Sequence, residues 1–321
     1  MKLNIGLIDA DNWGRLNNCF PNLALMKLSA YHKKNGHFVE WCQDSKYYDV
    51  VYISKVFSFS CEPPIEINAN KIIRGGTGYS IQLQDGEEVF CNDIHKDLPN
   101  EIEHIMPDYS IYGIKDTAYG FMTRGCPRGC DFCHVAPKEG KKSYKVANLS
   151  EFWTGQKYIQ IMDPNTFASP DWKDICQQLI NSKAYVEFNQ GVDIRLMDDE
   201  KIEMLRQMKL QSIHFAWDRY QDKKYIVPKL KRLKELTGWG RGKVTVYILT
   251  NFDTTLDQDL ERVILCKSLN FTPYIMRYNK ENIPRGSELN MLARYVNTKV
   301  IFWKCPTFWQ YKLELQKGFW R

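Results

Sequence analysis

No run of apolar residues in this chain approaches the ~20 that a helix needs to cross a bilayer, so no membrane partner is expected. Low-complexity tracts are missing too. With 44% hydrophobic and 13% aromatic residues, extensive disorder gives way to a packed core. Met1–Asp9 is too short for a secretory signal and is interrupted by Asp9, which points to a reducing compartment, the cytoplasm, for the ten cysteines. No large excess of one charge is present: a net +6 permits a polyanionic partner without demanding one. Gly75-Gly-Thr-Gly78 falls short of a complete G-x-G-x-x-G and reads as a tight turn.

What is present is an alternation of strand-like and helical patterns, the mark of an α/β protein with parallel strands. A strand at 3–9 and a helix at 22–34, stopped by Asn35-Gly36, are followed by strands at 38–42, 49–53 and 71–74. This succession reads as a small doubly wound domain over 1–112, closed by the proline-bounded connector 98–109. A second series of strands follows at 119–123, 158–162, 185–189, 212–217, 244–249 and 272–276. Helices at 172–181, 199–208, 223–236 and 257–269 lie between them. Six βα units over 113–290 predict a partial (β/α)6 barrel, whose chemistry sits at the C-terminal ends of its strands. The remainder, 291–321, is basic and aromatic. Arg294, Lys299, Lys304, Lys312, Lys317 and Arg321 lie among Phe302, Trp303, Phe308, Trp309, Tyr311, Phe319 and Trp320. Such interleaving can stack on nucleic-acid bases, but Val300–Trp303 reads as a buried strand, and packing against the barrel is the favoured role.

Three cysteines fall within eight residues: Cys126, Cys130 and Cys133. The other seven (Cys19, Cys42, Cys61, Cys91, Cys176, Cys266, Cys305) are scattered like ordinary buried thiols. Structural zinc prefers four ligands in two pairs; here no second pair stands beside the triplet, although His134 offers a nitrogen. Closely spaced thiolates on a loop are how iron–sulfur clusters are held, and three ligands leave one iron of a 4Fe–4S cubane open. With aromatic Phe132 before the last cysteine, C-x3-C-x2-C resembles the signature of the radical S-adenosylmethionine (SAM) superfamily. The resemblance implies a 4Fe–4S cluster on Cys126, Cys130 and Cys133, with SAM chelating the open iron through its amino and carboxylate groups. It also implies reductive cleavage to a 5′-deoxyadenosyl radical and an electron donor such as flavodoxin or ferredoxin.

SAM would then touch polar residues at the other strand ends: Asp163 and Asn165, Asn189, Gln190, Asp193 and Arg195, Asp218, and Asn251. Carboxylates and amides suit ribose hydroxyls, and an arginine suits the SAM carboxylate. The family's Gly-Gly-Glu after strand two is replaced by Met162-Asp-Pro-Asn165, while His134 reads as a loop-packing residue and His214 as structural or barrel-lining. The N-terminal domain resembles, in order and length, the cobalamin-binding domain that precedes the barrel in one branch of the superfamily. It lacks that branch's Asp-x-His-x-x-Gly loop, with Asp9-Ala-Asp-Asn-Trp-Gly14 in its place, so cobalamin is an optional cofactor only. The expected activity is radical modification or methylation of an unidentified substrate, nucleic acid included. The alternatives are a methylthiotransferase-like tRNA modification enzyme and a non-catalytic, metal-stabilised nucleic-acid-binding protein.

Overall fold

The computed structural model describes residues 2–14 and 20–320, so Cys19 and Arg321 lie outside the described residues. The chain forms two units, Met1–Met162 and Asp163–Arg321, each mixed α/β with parallel strands.

In the first unit, β1 (Asn4–Asp9) buries its last five residues in a row, the pattern of a strand covered on both faces. It pairs in parallel with β2 (Phe38–Trp41) and β3 (Tyr47–Ser54), and β3 pairs with β4 (Asn68–Gly75), giving the order β2-β1-β3-β4. The crossover from β1 to β2 carries α1 (Leu23–Lys34), capped by the Asn22 side chain, which accepts from Leu25 N–H. The doubly wound expectation fails at the next crossover, where β2 returns to β3 through 42–46 with no helix. That stretch is a turn at Asp44-Ser45, where Lys46 N–H donates to Gln43 O at 3.4 Å. Gly76 and Gly78 confirm the tight turn: a Cβ on either would meet Lys55 O at 2.4 Å or Phe57 O at 2.6 Å. An antiparallel hairpin follows, β5 (Ile81–Gln84) and β6 (Glu87–Phe90), then the single turn α2 (Asn100–Glu103).

The strand expected at 119–123 is divided. β7 (Thr117–Gly120) lies parallel to β10 (Tyr158–Ile161), while β8 (Thr123–Arg124) turns away to pair antiparallel with β9 (Tyr144–Lys145). Between β8 and β9 sit the cysteine loop and α3 (Val135–Glu139).

The second unit alternates helix and strand: α4 (Trp172–Ser182), β11 (Tyr185–Val192), α5 (Asp199–Gln207), β12 (Lys209–Ala216), α6 (Lys223–Thr237), β13 (Val244–Thr250), α7 (Leu256–Ser268) and β14 (Thr272–Arg277). Its four strands pair in parallel in sequence order, so every crossover advances the same way; with right-handed connections, this keeps the helices on one face. Three helices end the chain: α8 (Glu288–Asn297), α9 (Lys299–Lys304) and α10 (Phe308–Gln316). α9 overturns the strand expected at Val300–Trp303. Lys267 of α7 explains why: its ammonium donates to the carbonyls of Phe302 (2.7 Å), Cys305 (2.8 Å) and Pro306 (3.1 Å), satisfying the helix's last acceptors. Tyr295, Phe302, Phe308 and Tyr311 are buried together, so these tail rings serve packing. Among the described residues no helix is long and apolar enough to cross a membrane.

Candidate functional site

In the first unit the cysteine loop is a closed turn. Cys126 N–H donates to Gly140 O (3.2 Å), and Cys133 N–H to Cys130 O (3.0 Å). Gly125 (φ +76°) lets the two ends of the loop meet, since a Cβ there would lie 2.0 Å from Lys142 O. All three thiol-bearing residues and Phe132 are half-buried. His134, next to Cys133, turns its Nε2 to the Glu88 carboxylate of β6 at 3.3 Å, and the Ser58 hydroxyl donates to that same carboxylate. Lys138 donates to Thr77 Oγ1 at 2.9 Å. His134 is therefore tied to the β5–β6 hairpin.

Among the described residues no group of three or more His, Cys, Asp or Glu side chains is gathered as tightly as a bound metal ion requires. The donor set itself fits an iron–sulfur cluster: three soft sulfur ligands on one glycine-shaped loop, with His134 engaged elsewhere.

In the second unit, the strand-end residues fall into separate groups. Asp163 and Asn165 are buried in one turn, where Thr166 Oγ1 donates to Asp163 Oδ2 at 2.9 Å. β11 bulges between Phe188, paired with Ile213, and Val192, paired with Phe215; Asn189, Gln190 and Gly191 (φ +89°) bow out of the ladder there. Bulges of this kind re-aim side chains beside functional sites. Gln190 is exposed, whereas Asn189 Nδ2 is buried without a hydrogen-bond acceptor. Asn251 (φ +65°) spends its amide on Tyr278 O at 2.9 Å, tying the loop after β13 to the end of β14.

The structure brings Asp193, Arg195 and Asp218 together. Asp193 Oδ1 accepts from Arg195 N–H (3.1 Å) and Nε (2.7 Å), and Asp222, absent from the sequence reading, takes Arg195 Nη1. Arg195 is thus clasped by two carboxylates. Burial pushes the Asp218 carboxyl up to about 6, against the pull of Arg195 and Arg262.

Arg262 is the second residue that sequence reasoning missed. Fully buried, it donates to Trp217 O (2.7 Å), Asp218 O (3.1 Å) and Leu249 O (2.8 Å), and it pairs with Asp259 one helical turn earlier. It therefore fastens the ends of β12 and β13 to α7. The i,i+3 Asp–Arg spacing inside a helix was the available signal. His214 places its Nδ1 3.1 Å from Phe188 O, and burial lowers its pKa.

Compared with known proteins, the chain matches no family profile, and no curated protein is significantly similar to it.

Proposed function

We propose that this chain is a radical SAM enzyme whose Cys126, Cys130 and Cys133 hold a 4Fe–4S cluster. The observation that carries the reading is the cysteine loop: C-x3-C-x2-C on a glycine-closed turn, with the adjacent histidine engaged elsewhere. Parallel βα units in sequence order support a partial barrel. The loop after β1 does not fit a histidine-ligated cobalamin. It has no histidine, and Asp9 is already engaged by Tyr112 OH (2.6 Å) and Asn12 Nδ2 (2.8 Å).

When bound, the cluster supplies the electron that cleaves SAM. The chain's own part is binding and orientation. Asp193 and Asp218 would offer carboxylates to ribose hydroxyls or an amine, and the buried Asn189 Nδ2 a donor to an acceptor oxygen or nitrogen. Arg195, neutralised by Asp193 and Asp222, would set the position of the Asp193 carboxylate rather than serve as an unshielded anchor for the SAM carboxylate. Anaerobic reconstitution should give about four irons per chain, and dithionite with SAM should release 5′-deoxyadenosine. Stoichiometric zinc in place of iron, or cluster-loaded protein that never cleaves SAM, overturns the proposal.

A further inference from the structure

Glu139 closes α3, thirteen residues beyond Cys126, and its side chain is only 11% exposed. One carboxylate oxygen accepts from Arg124 Nη1 at 2.9 Å and the other from the Gly125 N–H at 3.0 Å. Arg124 and Gly125 are the two residues that lead into Cys126, and Gly140, next to Glu139, supplies the carbonyl that Cys126 N–H donates to. The Arg124 guanidinium also lies on the Phe121 ring, 3.4 Å from its centroid. Its Nη2 is 3.7 Å from Glu103, which pairs with the buried Lys27 of α1 at 2.8 Å. An ion-pair chain thus runs Lys27–Glu103–Arg124–Glu139 from α1 to the base of the loop.

We infer that Glu139 is a positioning residue for the cysteine loop: its carboxylate grips the loop's entry strand and first amide, and so fixes the backbone from which the three cysteines depart. This rests on the reading of the loop as a cluster site. The distances separate two strengths of contact. The bonds to Arg124 and Gly125 are short, charge-assisted and largely shielded, whereas the Glu103–Arg124 link is long and half-exposed. Gly125 adds the reason that the grip must be local: with no room for a Cβ against Lys142 O, the chain has one way through, and Glu139 holds it there.

The test uses the full iron-free protein and timed iodoacetamide alkylation read by peptide mass spectrometry. Exposed Cys61 serves as internal standard, and buried Cys176 and Cys266 report global opening. Glu139→Ala should speed alkylation of Cys126, Cys130 and Cys133 together by at least roughly tenfold relative to Cys61, since both charge-assisted bonds are lost. Glu139→Gln, which keeps one acceptor oxygen, should give roughly threefold, and Glu103→Gln less than about twofold. After anaerobic loading, the Glu139→Ala protein should also show an altered electron paramagnetic resonance line shape for its reduced cluster, restored toward wild type in Glu139→Gln. Equal motif-cysteine rates in wild type and Glu139→Ala overturn the inference. If Glu139→Ala also exposes Cys176 and Cys266, Glu139→Gln decides: unchanged motif rates overturn the inference. Wild-type protein that takes up no iron sinks the cluster reading instead, and the alkylation series separates the two failures.

Discussion

Replacing Arg262 with methionine tests how the strand ends of the second unit are held. The guanidinium is fully buried and gives hydrogen bonds to three main-chain carbonyls, those of Trp217, Asp218 and Leu249, besides its ion pair with Asp259. Methionine fills much of the same volume but leaves Asp259, 2% exposed, as a buried carboxylate whose remaining polar partner is the Thr254 hydroxyl at 2.7 Å. Removing one member of a buried pair costs about 3–5 kcal/mol, and orphaned carbonyls add about 1 kcal/mol or more each unless water reaches them. A loss of at least about 4 kcal/mol at pH 7, and more if the carbonyls stay dry, is therefore expected in the unfolding free energy from urea titration. Burial already raises the Asp259 pKa, and losing its cation raises it further. A carboxyl whose folded pKa lies above its unfolded value gains stability on protonation, so the deficit should shrink as the pH falls toward 4. The double variant Arg262→Met with Asp259→Leu removes both charges and should recover about 2 kcal/mol. A single variant within about 1 kcal/mol of wild type, or a double variant no better than the single, would refute the reasoning.

Three further outcomes can be checked together. His32, buried against Tyr52 OH at 3.0 Å, has its imidazole taken down by burial to about 4. Its contribution is present above pH 6.5 and lost as the pH falls toward 4, worth up to about 3 kcal/mol, and His32→Phe should flatten that part of the urea-midpoint profile. Asp218→Asn should raise the unfolding free energy at pH 7.5 by about 1–3 kcal/mol but not at pH 4, because the native carboxyl near 6 costs stability only where it must ionise. SAM binding, measured by equilibrium dialysis of the loaded protein, should weaken in the same variant; stability and binding moving together would argue against Asp218 as a ligand contact. Cys126→Ala, Cys130→Ala or Cys133→Ala should abolish iron uptake, whereas Cys266→Ala should cost about 1 kcal/mol and leave iron content unchanged.

The βα core was legible because its strands carry buried β-branched and aromatic residues at alternate positions. Ile213, Phe215 and Trp217 are such a row, and each strand is followed by an amphipathic helix. The β5–β6 hairpin escaped because it buries so little: Leu83 is 74% exposed and only Phe90 is buried, leaving no apolar stripe to see. Its turn was nonetheless written out, since Asp85-Gly86, both at positive φ, is a hairpin dipeptide. β-branched Val300 and Ile301 suggested a strand, but Lys267, more than thirty residues earlier, decided for helix, and no local pattern carries such a contact. At the candidate site, the residue types could be read from the chain, while their partners could not. Arg195 looked like an unshielded cation until folding set Asp193 and Asp222 against it.

The lysine that caps α9 has a bearing on how the C-terminal helices respond to ionic strength. An ammonium held at 2.7–3.1 Å from three main-chain oxygens is bound by dipoles, with no mobile partner for a counterion to replace. The Lys312–Glu288 pair, which joins α10 to α8 nearer the surface, is of the kind that dissolved salt screens. Raising sodium chloride to about 1 M, where the screening length falls to about 3 Å, should therefore weaken the Lys312–Glu288 link while leaving the Lys267 contacts in place, with α10 still held by buried Phe308 and Tyr311. The two lysines that hold the tail thus differ in kind: one is a salt-sensitive partner, the other a fixed part of the helix end.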